Sequence, residues 1–275
     1  MIRSSIFCVL IFGISAGLAG ESSQPAGWTK SIVTIEVNRK QYDYYQPWTK
    51  RTRRVQKVGT VVGDKQILTS ADEIYDRTLV RLQKGGRGRW WIGEVSWVDY
   101  PANLALVTVS DEEFWKELKP AKLAKSRVGE GPLQIVRWRE GKLESRAAEF
   151  SQFTVREGQL SPVDILALET SSEIQGVGWG EPLVINSHVA GIIYAQDGRT
   201  CLAMPAASIQ SILEAKKKGA YHGLGYFHFF WQPAENPATI SRLKLTGSPR
   251  GVVVIDVPNR PDNYDKVLKP HDIIL

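Results

Sequence analysis

Short apolar segments with alternating polar positions recur along most of the chain. Residues 30–37 alternate and are rich in β-branched side chains, which predicts a β-strand. Further short runs of strand character follow, at residues 57–62, 78–83, 90–98, 104–109, 133–138, 163–168, 182–186, 189–195 and 200–204. Turn residues separate these runs, and a polar, partly helical connector at 111–132 divides them into two clusters. The pattern therefore predicts an all-β protein with two barrels.

One segment departs from this pattern and predicts a helix. Across residues 207–218, Ile209, Ile212 and Leu213 recur at helical spacing. Three lysines occupy the last turn and Gly219 follows them, which is typical of a helix C-terminus. We expect this helix to mark the end of the double barrel.

The N-terminal residues have the composition of a targeting segment. Arg3 supplies a positive charge, residues 6–18 form a short apolar run, and small residues follow at 17–19. Residues 1–20 are thus predicted to be a cleaved signal peptide, and the protein to be exported to the bacterial periplasm or another extracytoplasmic compartment. The other interpretation, a membrane anchor, is disfavoured because the run is short. Removal of the segment leaves only Cys201, which excludes an internal disulfide and indicates a buried apolar role.

The positive charge of the chain is concentrated in one segment. The whole chain carries a net charge of +6, and residues 38–57 alone hold seven Lys or Arg residues against one Asp. Pro47 and the absence of a clean period predict a long loop there. Its arginines, with its tyrosines and tryptophan, would suit an anionic envelope polymer, an acidic peptide or membrane headgroups. Export argues against a nucleic-acid partner, and a solvated loop without a partner is the alternative.

Several segments, in their order and spacing, resemble the HtrA/DegP-like branch of the trypsin-like serine proteases. They lie at residues 59–62 with 67–72, 98–106, 178–184 with 189–192, and 203–205. This resemblance implies a chymotrypsin-like double β-barrel over residues 28–218. The basic segment falls where that family has a variable loop.

The segment after the helix resembles the beginning of a PDZ domain. The similarity lies at 223–226, 251–254 and 268–274, so the resemblance implies a PDZ domain of α+β type over residues 220–275. The chain stops on an apolar run, and we therefore expect this domain to be truncated or the sequence to be a fragment. By resemblance, Leu224, Gly225 and Tyr226 would bind unfolded polypeptides or peptide C-termini by strand addition. The family's homotrimers imply an oligomer of the same kind.

The residues at the three catalytic positions of that family cannot perform its chemistry. Aligned by the resemblance, Asp72, Asn103 and Trp179 stand where the histidine, aspartate and serine would be. No histidine precedes His188, so none can serve as the base in the first barrel. Val177 stands where the family has a glycine, two residues before the nucleophile, and is expected to disturb the oxyanion hole. Trp179 is expected to fill the vacated cleft, with ligand stacking as the alternative.

These features predict a pseudoprotease or scaffold in envelope protein quality control, with no cofactor and no metal site. Two alternatives stay open. The first is an active serine endopeptidase that uses a displaced serine, such as Ser70, Ser171 or Ser172, although the sequence offers no evident base to them. The second is an adaptor whose barrels pack against a catalytic paralogue.

Overall fold

The first six strands close into a barrel because each presents apolar side chains to a shared interior. The structure is a computed structural model and describes residues 27–125, 131–225, 229–242, 244, 246, 251–258 and 267–274. The strands of this barrel are β1 (Ile32–Tyr42), β2 (Lys50–Gly63), β3 (Gln66–Thr69), β4 (Arg77–Lys84), β5 (Trp90–Asp99) and β6 (Leu104–Thr108). They are hydrogen-bonded in the order β1-β2-β3-β6-β5-β4. Val33, Ile35, Ile67, Leu82 and Val107 are among the buried side chains of its core.

The next six strands form a second closed barrel. Helix α1 (Glu112–Trp115) lies between the barrels in sequence, and Asp111 caps it by accepting a hydrogen bond from Glu113 N. The strands are β7 (Leu133–Arg139), β8 (Lys142–Glu157), β9 (Asp164–Ser172), β10 (Pro182–Ile185), β11 (His188–Asp197) and β12 (Thr200–Pro205). Their order is β10-β11-β12-β9-β8-β7, with antiparallel neighbours. The predicted pair of barrels is confirmed.

A continuous apolar cluster joins the two barrels. Leu68 and Leu104 of the first barrel, Val136 and Ile192 of the second, and Ile209 of helix α2 (Ala206–Lys217) all belong to it. Trp138 Nε1 also donates a hydrogen bond of 2.8 Å across the junction to Ile32 O. The junction is therefore a packed core with little freedom for the barrels to slide.

Helix α2 ends as the sequence predicts. Gly219 has φ +68, and its N–H donates to Lys216 O at 3.0 Å. Beyond it lie β13 (Phe230–Pro233), α3 (Pro237–Arg242), β14 (Val252–Asp256) and β15 (Ile273–Ile274). The three strands pair antiparallel in the order β13-β14-β15. Among the described residues, no helix has the length and apolar character needed to cross a membrane.

The prediction of a long loop at residues 38–57 is wrong. Residues Ile32–Tyr42 and Lys50–Gly63 instead pair in continuous register, from Ile32 opposite Thr60 to Tyr42 opposite Lys50. The segment is therefore a β-hairpin with a short turn at 43–49. Its sequence lacks hydrophobic alternation because the outer part of the hairpin lies outside the barrel, where no side-chain face is buried. The predicted signal peptide at 1–20 lies outside the described residues.

Candidate functional site

Asp72 and Asn103 meet at one end of the first barrel. Asp72 lies shortly after β3, and Asn103 immediately precedes β6. Because β3 and β6 are hydrogen-bonded neighbours, the two residues lie side by side, and Asp72 N donates to Asn103 Oδ1 at 3.1 Å. The Asn103 amide also donates to Gln159 Oε1 of the second barrel at 3.3 Å. Asn103 thus holds the turn after β3 and contacts the neighbouring barrel.

Trp179 reaches the same junction from the second barrel. It lies in the loop before β10, and its carbonyl oxygen accepts a hydrogen bond of 3.0 Å from Val58 N on β2. Its half-buried ring has its centroid 5.6 Å from Lys57 Nζ, within cation–π range. Asp72 lies near the same ammonium group and attracts it electrostatically. Lys57 therefore links the region of Asp72 to Trp179.

Lys57 is the functional-site residue that the sequence interpretation missed. It was counted with the exposed basic segment, yet it is 1% exposed and donates to Ser70 Oγ at 2.7 Å. Burial lowers its pKa to about 8, while the negative charges of Asp72 and Glu181 act in the opposite direction. Strand alternation could have revealed it, because Lys57 shares a face with buried Val55 and with Gly59. The expectation that no base is available to Ser70 is corrected by this contact.

The backbone N–H groups of the loop 177–179 are all bound by side chains of the protein itself. Val177 N donates to Gln196 Oε1 at 3.1 Å. Gly178 N and Trp179 N both donate to Glu181 Oε2, at 2.9 and 2.8 Å. Burial raises the pKa of the Glu181 carboxyl, and the backbone hydrogen bonds lower it. An incoming carbonyl oxygen would find each of these donors already engaged.

The conformation of the loop depends on its glycines. Gly176 and Gly178 have φ of +69 and +114, whereas Val177 between them does not adopt a positive φ. The Val177 side chain is buried in the core of the second barrel. A β-branched residue at this position therefore places its side chain in the core and leaves its N–H with Gln196.

Arg137 on β7 holds this loop by hydrogen bonds to its backbone carbonyl groups. Its guanidinium donates to Gln175 O at 2.9 Å, to Gly176 O at 2.8 Å and to Glu144 Oε2 at 2.8 Å. The guanidinium holds the pKa of Glu144 below its ordinary value, although burial alone would raise it. The planar fork of arginine suits this arrangement of three acceptors, which a lysine could not reproduce.

Arg137→Ala is expected to reduce the free energy of unfolding by about 2 kcal/mol, because three charge-assisted hydrogen bonds are lost. Equilibrium urea unfolding measures the change. Arg139→Ala is the matched control, since Arg139 lies two residues away on the same strand and is exposed. The control should change the stability by less than about 0.5 kcal/mol. Equal losses in free energy of unfolding for Arg137→Ala and Arg139→Ala would contradict the role of Arg137 in holding the loop.

An open cleft of about 720 Å³ lies between the barrels beside these residues. Lys57, Trp179 and Glu181 line it together with Arg137 and Trp138. Its polar walls carry both charge signs, so it can accommodate a polar ligand or a peptide segment. Within the described ranges, no group of three or more His, Cys, Asp or Glu side chains is placed to hold a metal ion.

The predicted peptide-binding residues lie just beyond α2. Leu224 is half-buried and packs against the apolar cluster that joins the barrels, and Gly225 is exposed. Tyr226 lies outside the described residues. Nearby, the Tyr221 hydroxyl donates to Asp99 Oδ2, which ties this segment to the first barrel. The assignment of Leu224, Gly225 and Tyr226 to peptide binding stays a prediction.

No protein-family model matches the chain. Protease Do-like 4, mitochondrial, of Arabidopsis thaliana is 25% identical over 266 residues, covering 89% of this chain and 48% of that protein. Protease Do-like 2, chloroplastic, of the same plant is 24% identical over 261 residues, covering 91% and 42% respectively. This chain is thus similar, over about nine-tenths of its length, to Do-like (HtrA) proteases. It spans about half the length of these curated relatives.

Solved structures of HtrA-type and related proteases share the fold. The active form of the Rv3671c protease from M. tuberculosis matches with a TM-score of 0.59 and 16% identity, covering 82% of this chain and 97% of that one. The HtrA-type protease AlgW, solved with a decapeptide, matches with a TM-score of 0.59 and 14% identity, covering 83% and 76%. The predicted chymotrypsin-like double barrel is therefore confirmed.

Proposed function

We propose that this HtrA homologue binds polypeptides without cleaving them. One observation carries the proposal: the N–H groups of residues 177 and 179 are held by Gln196 and Glu181. In the serine proteases of this fold, the N–H groups of the nucleophile and of the residue two before it stabilise the oxyanion. Here the same two groups have separate internal acceptors, so no common point is left for a tetrahedral intermediate.

The residue types at the three catalytic positions support the same proposal. Trp179 has no nucleophilic atom, and Asn103 carries no charge that could stabilise a protonated base. Loss of even one member of a working triad costs orders of magnitude in rate. Lys57 and Trp179 occupy the junction where a nucleophile and its base would meet.

The role that we propose is that of an exported, peptide-binding pseudoprotease or scaffold in envelope protein quality control. Residues 220–275 would form a PDZ domain that takes unfolded polypeptides or peptide C-termini, with Leu224, Gly225 and Tyr226 at the binding edge. The decapeptide in the AlgW structure supports a polypeptide as the class of ligand. We further propose that the protein assembles either as a homotrimer or in a complex with a catalytic paralogue.

A specific contact favours a second candidate, an active serine endopeptidase that uses Ser70. Lys57 Nζ lies 2.7 Å from Ser70 Oγ, and the Lys57 pKa of about 8 would make the amine available as a base. Serine–lysine pairs serve this purpose in other hydrolases. Burial argues against it, because Ser70 is 0% exposed and a substrate carbonyl could not reach its hydroxyl. We therefore favour binding over cleavage.

Incubation of the full chain with a fluorescently labelled, unfolded polypeptide tests the proposal. We expect a rise in anisotropy that marks binding, and an intact polypeptide by mass spectrometry after prolonged incubation. Fragments that appear in proportion to the protein concentration would contradict the proposal.

A variant with a restored triad sharpens this test. Asp72→His, Asn103→Asp and Trp179→Ser together are expected to leave the protein inactive, because Glu181 and Gln196 still engage the loop N–H groups. The matched variant adds Glu181→Gly and Gln196→Ala, which remove the two side chains that hold the loop N–H groups, and it is expected to regain measurable cleavage. Cleavage by the variant that carries only the three triad substitutions would show that the contacts of Glu181 and Gln196 with the loop N–H groups do not block the oxyanion site.

A further inference from the structure

The hairpin formed by β1 and β2 continues beyond the first barrel. The pairing of β1 with β4 stops at Arg39, whereas its pairing with β2 continues to Tyr42 opposite Lys50. Residues 40–52 therefore form a two-stranded projection, which we call the hairpin tip. A two-stranded ribbon buries little apolar surface of its own, so both of its faces are open to other molecules.

Hydrogen bonds order the backbone of the turn in the hairpin tip, which carries exposed aromatic side chains. Asp43 Oδ1 accepts hydrogen bonds from Tyr45 N at 2.9 Å and from Gln46 N at 3.3 Å, and Gln46 O accepts one from Thr49 N at 2.8 Å. The aromatic side chains point into solvent, with exposures of 59% for Tyr42, 96% for Tyr44, 95% for Tyr45 and 78% for Trp48. Such a cluster of exposed aromatic residues marks an interaction surface.

Cations without an ion-pair partner lie behind the aromatic residues of the turn, and one of them, Lys50, is opposite Tyr42. Lys40, Lys50 and Arg51 are exposed and form no ion pair among the described residues, although Lys50 Nζ lies 5.9 Å from the centroid of the Tyr42 ring. Arg53 and Arg54, farther back, pair with Glu73 and Glu36 at 3.2 and 3.5 Å. Asp43 is the one acidic side chain of the tip, and its Oδ1 is engaged by the turn N–H groups.

We propose that the hairpin tip binds the surface of an anionic lipid bilayer. Tyrosine and tryptophan favour the headgroup region because each combines an apolar ring with a polar edge. At a rise of about 3.4 Å per residue, Lys40 and Arg51 lie roughly 10–15 Å behind the outermost rings. The rings can thus enter the boundary between headgroups and acyl chains while the cations remain level with the phosphates.

The order of the two kinds of side chain favours a bilayer over a soluble polyanion. A polyanion would be bound chiefly by the cations, and the three aromatic rings of the turn, at the outermost point, would add little to that contact. A bilayer would contact both kinds of side chain, with the aromatic rings inserted more deeply than the cations. Binding should weaken as salt rises, because the cations and the headgroups are exposed to solvent.

Co-sedimentation of the full chain with lipid vesicles tests this proposal. Vesicles of phosphatidylcholine with phosphatidylglycerol are compared with vesicles of phosphatidylcholine alone, at low and at physiological salt. The charge variant Lys40→Gln/Lys50→Gln/Arg51→Gln is expected to bind the anionic vesicles on the order of a hundredfold more weakly at low salt. Its control, Lys119→Gln/Lys217→Gln/Lys218→Gln, removes the same charge elsewhere and should bind within about threefold of the unaltered protein.

The aromatic variant Tyr44→Ser/Tyr45→Ser/Trp48→Ser separates a bilayer from a soluble polyanion. We expect it to bind anionic vesicles about tenfold or more weakly while its retention on heparin is unchanged. Phe150→Ser/Phe153→Ser, which removes exposed aromatic side chains from β8, should leave vesicle binding unchanged. Equal binding of the aromatic variant and the unaltered protein, or retention on heparin without any vesicle binding, would overturn the proposal. Urea unfolding of each variant shows that the fold is retained.

Discussion

Gly180→Ala is expected to lower the free energy of unfolding by about 3–5 kcal/mol. Gly180 has φ +97, a conformation that alanine adopts only with strain. A Cβ atom there would lie 2.4 Å from Thr69 Oγ1 and 2.6 Å from Val58 O. Val58 belongs to β2, and its N–H is bonded to Trp179 O, so neither side of the contact can withdraw easily. The substitution would therefore separate the barrels at the site.

Gly176→Ala is the matched control for this prediction. Gly176 lies in the same loop and has φ +69, but no atom stands within 4 Å of a Cβ added there. The Gly176→Ala substitution isolates the backbone strain, for which we expect a loss of about 1 kcal/mol in the free energy of unfolding. Chemical denaturation of the three proteins gives the comparison. Similar losses for Gly176→Ala and Gly180→Ala would contradict the tight contact between the loop and the first barrel.

Lys57→Met is expected to remove a strong pH dependence of stability. The Lys57 pKa is about 8 in the folded protein, against an ordinary value of 10.5. Between these two pH values the unfolded chain binds more protons than the folded one, so the stability contributed by this group rises with pH. The stability difference between the unaltered protein and Lys57→Met should therefore grow by about 3 kcal/mol across that interval.

The informative quantity is the difference in free energy of unfolding between the unaltered protein and Lys57→Met, because the titrations of groups present in both proteins cancel in it. Burial also raises the pKa of Tyr194 to about 12, but that group is present in both proteins. Lys119→Met, at an exposed lysine, is the control and should show no such trend. A stability difference that stays constant from pH 8 to 10.5 would mean that Lys57 titrates as an exposed lysine does.

Strands with a buried face were predictable from the sequence, and strands without one were not. The alternation at residues 30–37 and the helical spacing of Ile209 and Ile212 correspond to β1 and α2. The pattern did not separate out β8 (Lys142–Glu157), in which Ala148 is the one buried residue. The outer hairpin was missed for the same reason. Hydrophobic alternation records burial, and it fades wherever both faces of a strand contact water.

The candidate site was predictable in its positions and less so in its contacts. The resemblance selected Asp72, Asn103 and Trp179, and the structure places them around one junction. The resemblance gave no indication that the Glu181 carboxylate would accept hydrogen bonds from the N–H groups of Gly178 and Trp179. Charge composition also misplaced Lys57, because a lysine within a basic segment is ordinarily solvated. Its burial depends on partners that are distant in sequence.

The most direct test of the central claim is labelling of the native full chain with a fluorophosphonate, which reacts with activated serines. The reaction is run at neutral pH and again above the Lys57 pKa of about 8, where the Ser70–Lys57 pair would be most reactive. We predict no labelled serine under either condition. Labelling of a single serine, Ser70 first among them, that disappears on denaturation would contradict the claim and establish an active serine hydrolase.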